Sequence, residues 1–161
     1  MVKGVGWKKR LIVLASAILV VMTLITIWRF SAQSSGDSSA LSGKLAELVA
    51  SWPGVSEIVP VETLEAILRK LAHGLVYLVL GVGLTGAMIA QRIGLIVLLV
   101  PLIGAMLAAL DELHQSFVPG RGPSVWDVGI DTLGVVVGML LVLFFVLVLS
   151  SITKRKLVDD F

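Results

Sequence analysis

Four stretches of this chain are long and apolar enough to cross a bilayer, and that constrains its fold more than any other feature. A run of about 18 or more apolar residues spans the hydrocarbon. Such runs occupy residues 11–28, 72–90, 93–110 and 128–152. Glycines, Tyr77 and Thr85 interrupt the second, Pro101 lies near the middle of the third, and Asp131 sits near the start of the fourth. Within lipid each backbone polar group must find its partner inside the protein, and single runs of this length achieve that as helices. The expected fold is therefore all-α: a polytopic membrane protein with four transmembrane helices, residues 1–161 forming a single membrane domain. Composition agrees. Of the 161 residues 57% are hydrophobic and 15% charged, against about 45–50% and 25% in soluble domains. A disordered chain would be far more polar. The net charge of +2 gives no case for nucleic-acid binding, and the absence of Cys removes disulfides, thiolate metal sites and a cysteine nucleophile.

The basic residues set the expected orientation. Lys3, Lys8, Lys9 and Arg10 precede the first run, Arg92 sits between the second and third, and Lys154, Arg155 and Lys156 follow the fourth. With both termini in the cytoplasm, these eight of the 13 Lys and Arg lie inside; Arg29, Lys44, Arg69, Lys70 and Arg121 lie outside. The positive-inside rule favours that arrangement. It places Ser35 and Arg121 outside and Arg92 inside, in a plasma membrane. The Lys8-Lys9-Arg10 start is also compatible with a cleaved signal peptide, and Ala32-Gln33-Ser34 is a tolerable cleavage site. The length of the run and the bulk of Trp28-Arg29-Phe30 after it favour a retained helix.

Residues 31–70 form the outer segment. Its Ser-rich part, 31–43, reads as a loop. From Lys44 to Trp52 the apolar residues Leu45, Leu48, Val49 and Trp52 recur at helical spacing, and Pro53-Gly54 stops the helix. Pro60 starts another, with Leu64, Ile67, Leu68 and Leu71 on one face and Glu62, Glu65 and Arg69 on the other. Two short amphipathic helices lying on the outer leaflet are expected; a small cap packed over the helix ends is the alternative.

Polar residues then converge. Lys70, His73, Tyr77 and Gly81 share one helix face; so do Gly104, Ala108, Asp111 and Gln115; so do Asp127, Asp131, Gly134 and Gly138. In each case small residues lie below and polar ones above. Small residues let membrane helices approach closely, and Gly134-xxx-Gly138 has the GxxxG form. One outward chamber could hold Lys70, His73, Tyr77, Asp111, Glu112, Gln115, Arg121, Asp127 and Asp131, and ionisable groups at membrane depth are costly and usually functional. Plainer roles exist for each. Ser124-Val-Trp-Asp127 matches a capping box. Glu112 and His114 could be wetted at the interface, with His114 off the small-residue face, and Tyr77 could be an interfacial aromatic anchor. Residues 117–124 could be only a connector. Lys70 and Arg121 are the cations expected to neutralise Asp111 or Asp131, which would make loss of Asp111 costly. There is no HExxH, P-loop or GxSxG motif. Asp111 and Glu112 with His73 or His114 follow no known ligand spacing, so neither metal nor cofactor is expected.

Three motifs together resemble the VanZ-like family of bacterial membrane proteins: Arg69-Lys70-xx-His73-xxx-Tyr77, Asp111-Glu112-xx-Gln115 followed by Gly120-Arg121, and Asp127-xxx-Asp131-xx-Gly134-xxx-Gly138. The polar stretch from Phe30 to Ser42 also looks like the loop after the first helix in many members. The resemblance covers about residues 30–140. It implies a bacterial envelope location and, from the family's namesake, an association with low-level teicoplanin resistance; it implies no established reaction. Two positions depart from the pattern. Many members carry His-Phe-x-Glu-Tyr where this chain has His73-Gly-Leu-Val76-Tyr77. Many also carry Asn at the place of Asp131, which implies that Asn would be tolerated there.

Three functions fit. The chamber could engage an outer-leaflet lipid headgroup, a lipid-linked wall precursor or a lipophilic glycopeptide, with Arg69, Lys70 and Arg121 meeting phosphates. It could be the active site of a membrane-embedded hydrolase or transferase, with His73 or Asp131 as general acid and Asp111 or Glu112 as base. It could serve an ion pathway, although no acid lies in the cytoplasmic half of any span.

Overall fold

The computed structural model describes residues 4–92 and 94–159. The elements are α1 (Gly4–Ser31), α2 (Ser35–Ala50), α3 (Val55–Ile58), α4 (Val61–Ala90), a 3-10 segment (Gly94–Leu99), α5 (Val100–Gln115) and α6 (Val125–Asp159). No strand occurs among the described residues. Four units are long and apolar enough to cross a membrane: Gly6–Ser31, Val61–Ala90, Gly94–Gln115 and Val125–Ile152. The all-helical, four-span reading of the apolar runs therefore holds.

Several boundaries differ from the sequence expectation. Residues 61–71 are not a separate helix lying on the leaflet. They are the first turns of α4, because nothing between Val61 and Ala90 breaks the helix and its glycines cost it little in packed surroundings. At 30 residues α4 is about 45 Å long, so it projects well beyond a hydrocarbon core of about 30 Å. Helix α2 packs along α4, as in the cap alternative. It also begins at Ser35, so most of the Ser-rich segment read as a loop is helical. Serine is only a fair helix former; tertiary contacts hold this one, with Ala46 fully buried and Ser42 donating to Glu65 Oε1 at 3.2 Å. Pro101 does not interrupt a span. It sits in the first turn of α5, where its missing N–H costs nothing, and the 3-10 segment precedes it.

The interior is built on close backbone approach. A Cβ on Gly134 would lie 2.3 Å from the Gly74 carbonyl oxygen, one on Gly138 2.1 Å from that of Leu78, and one on Gly81 2.3 Å from that of Val135. Helices α4 and α6 thus touch backbone to backbone along three turns. Val135, fully buried, also fills the notch at Gly104 on α5, while Gly83 and Gly86 admit Val20 and Ser16 of α1. Around this core Leu14, Leu102, Leu110, Phe144 and Leu147 point outward and exposed. On a soluble protein so wide an apolar surface would drive association; on four membrane-length helices it is the surface that lipid covers.

The spans alternate in direction. The start of α1, the Arg92 turn and the end of α6 share one end of the bundle. The other, here called the distal end, collects the end of α1, α2, the start of α4 and residues 116–124.

Candidate functional site

The sequence-predicted polar residues do meet, at the distal end. Helix α4 contributes Lys70, His73 and Tyr77, α5 contributes Asp111, Glu112 and Gln115, the following loop Arg121, and α6 Asp127 and Asp131. A cavity of about 220 Å³ opens there, lined by these residues except Tyr77 and Asp111, with His73 and Asp131 at its wall and Arg69, Lys70 and Arg121 around it.

The floor is the unusual part. Asp131 is fully buried, and neither of its carboxylate oxygens has a hydrogen-bond partner. His73 Nδ1 lies 3.8 Å from Asp131 Oδ2, within ion-pair range but beyond hydrogen-bonding distance. Asp111, only 6% exposed, accepts a bond from Gln115 Nε2 at 2.9 Å through Oδ2. Donor atoms of His73, Asp111 and Asp131 lie within 4.8 Å of one another, a spacing at which they could hold a metal ion. Tyr77, one turn below His73, is 1% exposed with an unpartnered hydroxyl. It is a core residue, and the interfacial-anchor reading falls.

Each rim cation has a protein partner. Lys70 Nζ pairs with Asp127 Oδ1 at 2.7 Å. Arg121 Nη1 donates to the carbonyls of Phe30 at 3.0 Å and Ser31 at 3.4 Å, satisfying the open end of α1. The expectation that either cation neutralises Asp111 or Asp131 is therefore incorrect: their reach is taken up by a rim carboxylate and by a helix terminus. Burial draws the Arg121 guanidinium below its usual pKa, and the charge of Arg69 adds to that pull. Arg69 is itself held by Glu65 and by Ser39 Oγ.

Glu112 is not a wetted interfacial residue. It is 5% exposed, and its Oε2 accepts the Ser124 N–H at 2.7 Å, fixing the entry to α6. Ser124 Oγ in turn accepts the Asp127 N–H at 3.3 Å, so half of the capping box forms, Glu112 taking the place of the reciprocal carboxylate while that of Asp127 is used for Lys70. The connector 117–124 is thereby tied down at Arg121 and at Ser124. His114 stays out of the chamber: its ring stacks on Trp28 at 4.3 Å, and its Nδ1 lies 2.7 Å from Ser31 Oγ. Sequence reading missed Ser31, which is fully buried where α1 meets α5. In a run of serines nothing marks out the one that is buried.

Residues 14–147 match the family described as VanZ/LLP1. No curated protein and no solved structure matches the chain.

Proposed function

The chain belongs to the VanZ/LLP1 family, and from that premise we propose that it binds the anionic headgroup of an outer-leaflet lipid or lipid-linked wall precursor and thereby contributes to teicoplanin-type resistance. Its place is the plasma membrane of a bacterium, with both termini cytoplasmic and the distal end outside. The observation that carries this reading is the distal cavity with Arg69, Lys70 and Arg121 around it. Guanidinium and ammonium groups are the side chains suited to phosphate. At about 220 Å³ the cavity falls below the roughly 300–1,000 Å³ of drug-sized sites. That suits a headgroup better than a whole glycopeptide.

One observation favours a second reading, a membrane-embedded hydrolase or transferase. His73 and Asp131 line the same cavity, so an acid–base pair would face any headgroup phosphate bound there. The two readings separate on substitution. A binder loses affinity in graded steps across Lys70, Arg121 and Asp127, whereas an enzyme loses all turnover at one carboxylate or at His73. Lipid analysis of the gently purified protein tests both: a stoichiometric phospholipid or polyprenyl phosphate is expected, and its absence removes the headgroup.

Orientation has its own test. The chain has no Cys, so single-Cys variants report without background. An impermeant maleimide should label Gly122→Cys in intact cells and leave Arg92→Cys unlabelled until the membrane is opened. The reverse pattern would place the cavity in the cytoplasm and end the outer-leaflet reading.

The resistance claim rests on lipid anchoring of the drug. Teicoplanin carries a lipid tail and vancomycin does not, so overexpression should raise tolerance to the first more than to the second. An equal rise for both would indicate a general envelope effect.

A further inference from the structure

We propose that His73, Asp111 and Asp131 bind a divalent transition-metal ion of the manganese–zinc class at the floor of the distal cavity. Three helices deliver one donor each, with all donor atoms within 4.8 Å of one another. Metal–ligand bonds of about 2.0–2.2 Å place ligand atoms about 3.0–3.5 Å apart, so the more widely spaced donors would close by roughly 1 Å, a movement within reach of side-chain rotation.

The second observation is Asp131 itself. Its carboxylate is fully buried, lines the cavity, and has no hydrogen bond to either oxygen. A buried carboxylate is stable only when paired or coordinated. The surrounding cations line the cavity but pair with other groups than Asp131: Lys70 with Asp127, Arg69 with Glu65, Arg121 with the end of α1. The Gln115 amide serves Asp111, and the His73 nitrogen, at 3.8 Å, is within ion-pair range of Asp131 but makes no hydrogen bond to it. Two carboxylates and one neutral imidazole match the charge of a divalent ion. Gln115 orients Asp111 as outer-shell partners of metal ligands usually do.

The donor set selects the metal class. One imidazole with two carboxylates and no thiolate suits borderline ions, whereas magnesium and calcium favour all-oxygen shells and copper(I) favours sulfur. Three protein ligands leave coordination positions open toward the cavity, where water or a phosphate oxygen completes the shell. The site stands whatever molecule the cavity takes.

The full chain, purified in mild detergent and stripped with chelator, would be titrated with Mn²⁺ and with Zn²⁺. About one tightly held ion per chain is expected. The chain has two histidines, so pulsed EPR of the Mn²⁺ form should show coupling to one imidazole nitrogen. That coupling should vanish in His73→Gln and persist in His114→Gln. Asp131→Asn and Asp111→Asn should weaken binding by at least the 10- to 100-fold that outer-shell partners alone are worth, about that factor or more. If the histidine variant does not fold, stoichiometry and nitrogen coupling in the unmodified chain still decide. No retained ion, no nitrogen coupling, coupling that survives His73→Gln, or binding unaltered in Asp131→Asn would each overturn the site.

Discussion

Gly138→Leu should prevent α4 and α6 from packing, and the variant should be lost as a monodisperse species in mild detergent. Even Gly138→Ala should cost about 3 kcal/mol, the upper end of what overpacking usually costs. The contact is with backbone: the new Cβ would lie 2.1 Å from the Leu78 carbonyl oxygen. A flexible side chain could swing away, but a helix carbonyl cannot, so the two helices must separate by more than 1 Å, roughly the shortfall from van der Waals contact. That separation strips contacts from Gly74, Gly81 and Gly134 together. The same helix supplies an internal control. Gly129 is exposed and a Cβ there meets nothing within 4 Å. Gly129→Ala should therefore stabilise the chain by about 0.4–1 kcal/mol, through reduced freedom of the unfolded state. Thermal unfolding of the two alanine variants should move in opposite directions. Equal shifts would mean that the glycines are not the packing determinants assigned here.

The consequence reaches the site. Asp131 and Gly134 are one turn apart on α6, and His73 and Gly74 are adjacent on α4. The glycine contact that lets the backbones touch also closes the cavity floor over Asp131. Small residues below and ionisable residues above are thus one device: the close approach excludes water, and the exclusion makes a carboxylate beside a histidine consequential.

What the sequence reveals and what it hides follow from this division. The four spans are legible because an apolar run of membrane length has few alternative structures, and the shared faces of α4, α5 and α6 are legible because helical periodicity is local. Neither signal reports which face meets which. That Lys70 pairs with Asp127, and Arg121 with the carbonyls of Phe30 and Ser31, depends on helix rotation and loop path. No periodicity carries those. The first half of α2 escapes notice because its serines are only fair helix formers held by packing on α4, and α4 is read short because its polar first turns resemble a surface helix. The ligand set at 73, 111 and 131 is invisible to spacing rules, which detect ligands on one helix or one loop. Here they come from three helices.

Neutralising Asp111 should cost far less than the sequence suggests. With Lys70 or Arg121 as its partner, Asp111 would be costly to neutralise, at about 3–5 kcal/mol for a buried pair broken on one side. Since those cations bind elsewhere, Asp111→Asn should stay within about 1 kcal/mol of the unmodified chain, its remaining side-chain oxygen still accepting from Gln115. Asp131→Asn should do better. In chelator the unmodified chain holds a fully buried carboxylate with no hydrogen bond, and an uncharged group of the same shape removes that desolvation cost. A net gain of about 1 kcal/mol is expected, because the amide sheds the charge but is itself a buried polar group with few partners. Saturating Mn²⁺ should then invert the order. An ion at about 100 times its dissociation constant stabilises the folded state by about 2.7 kcal/mol, and only the chain that retains Asp131 receives the full amount. Melting curves of both proteins, with chelator and with Mn²⁺, therefore cross. If Asp131→Asn is instead the less stable protein in chelator, its carboxylate is already satisfied without a metal, and the floor of the cavity is a structural pair.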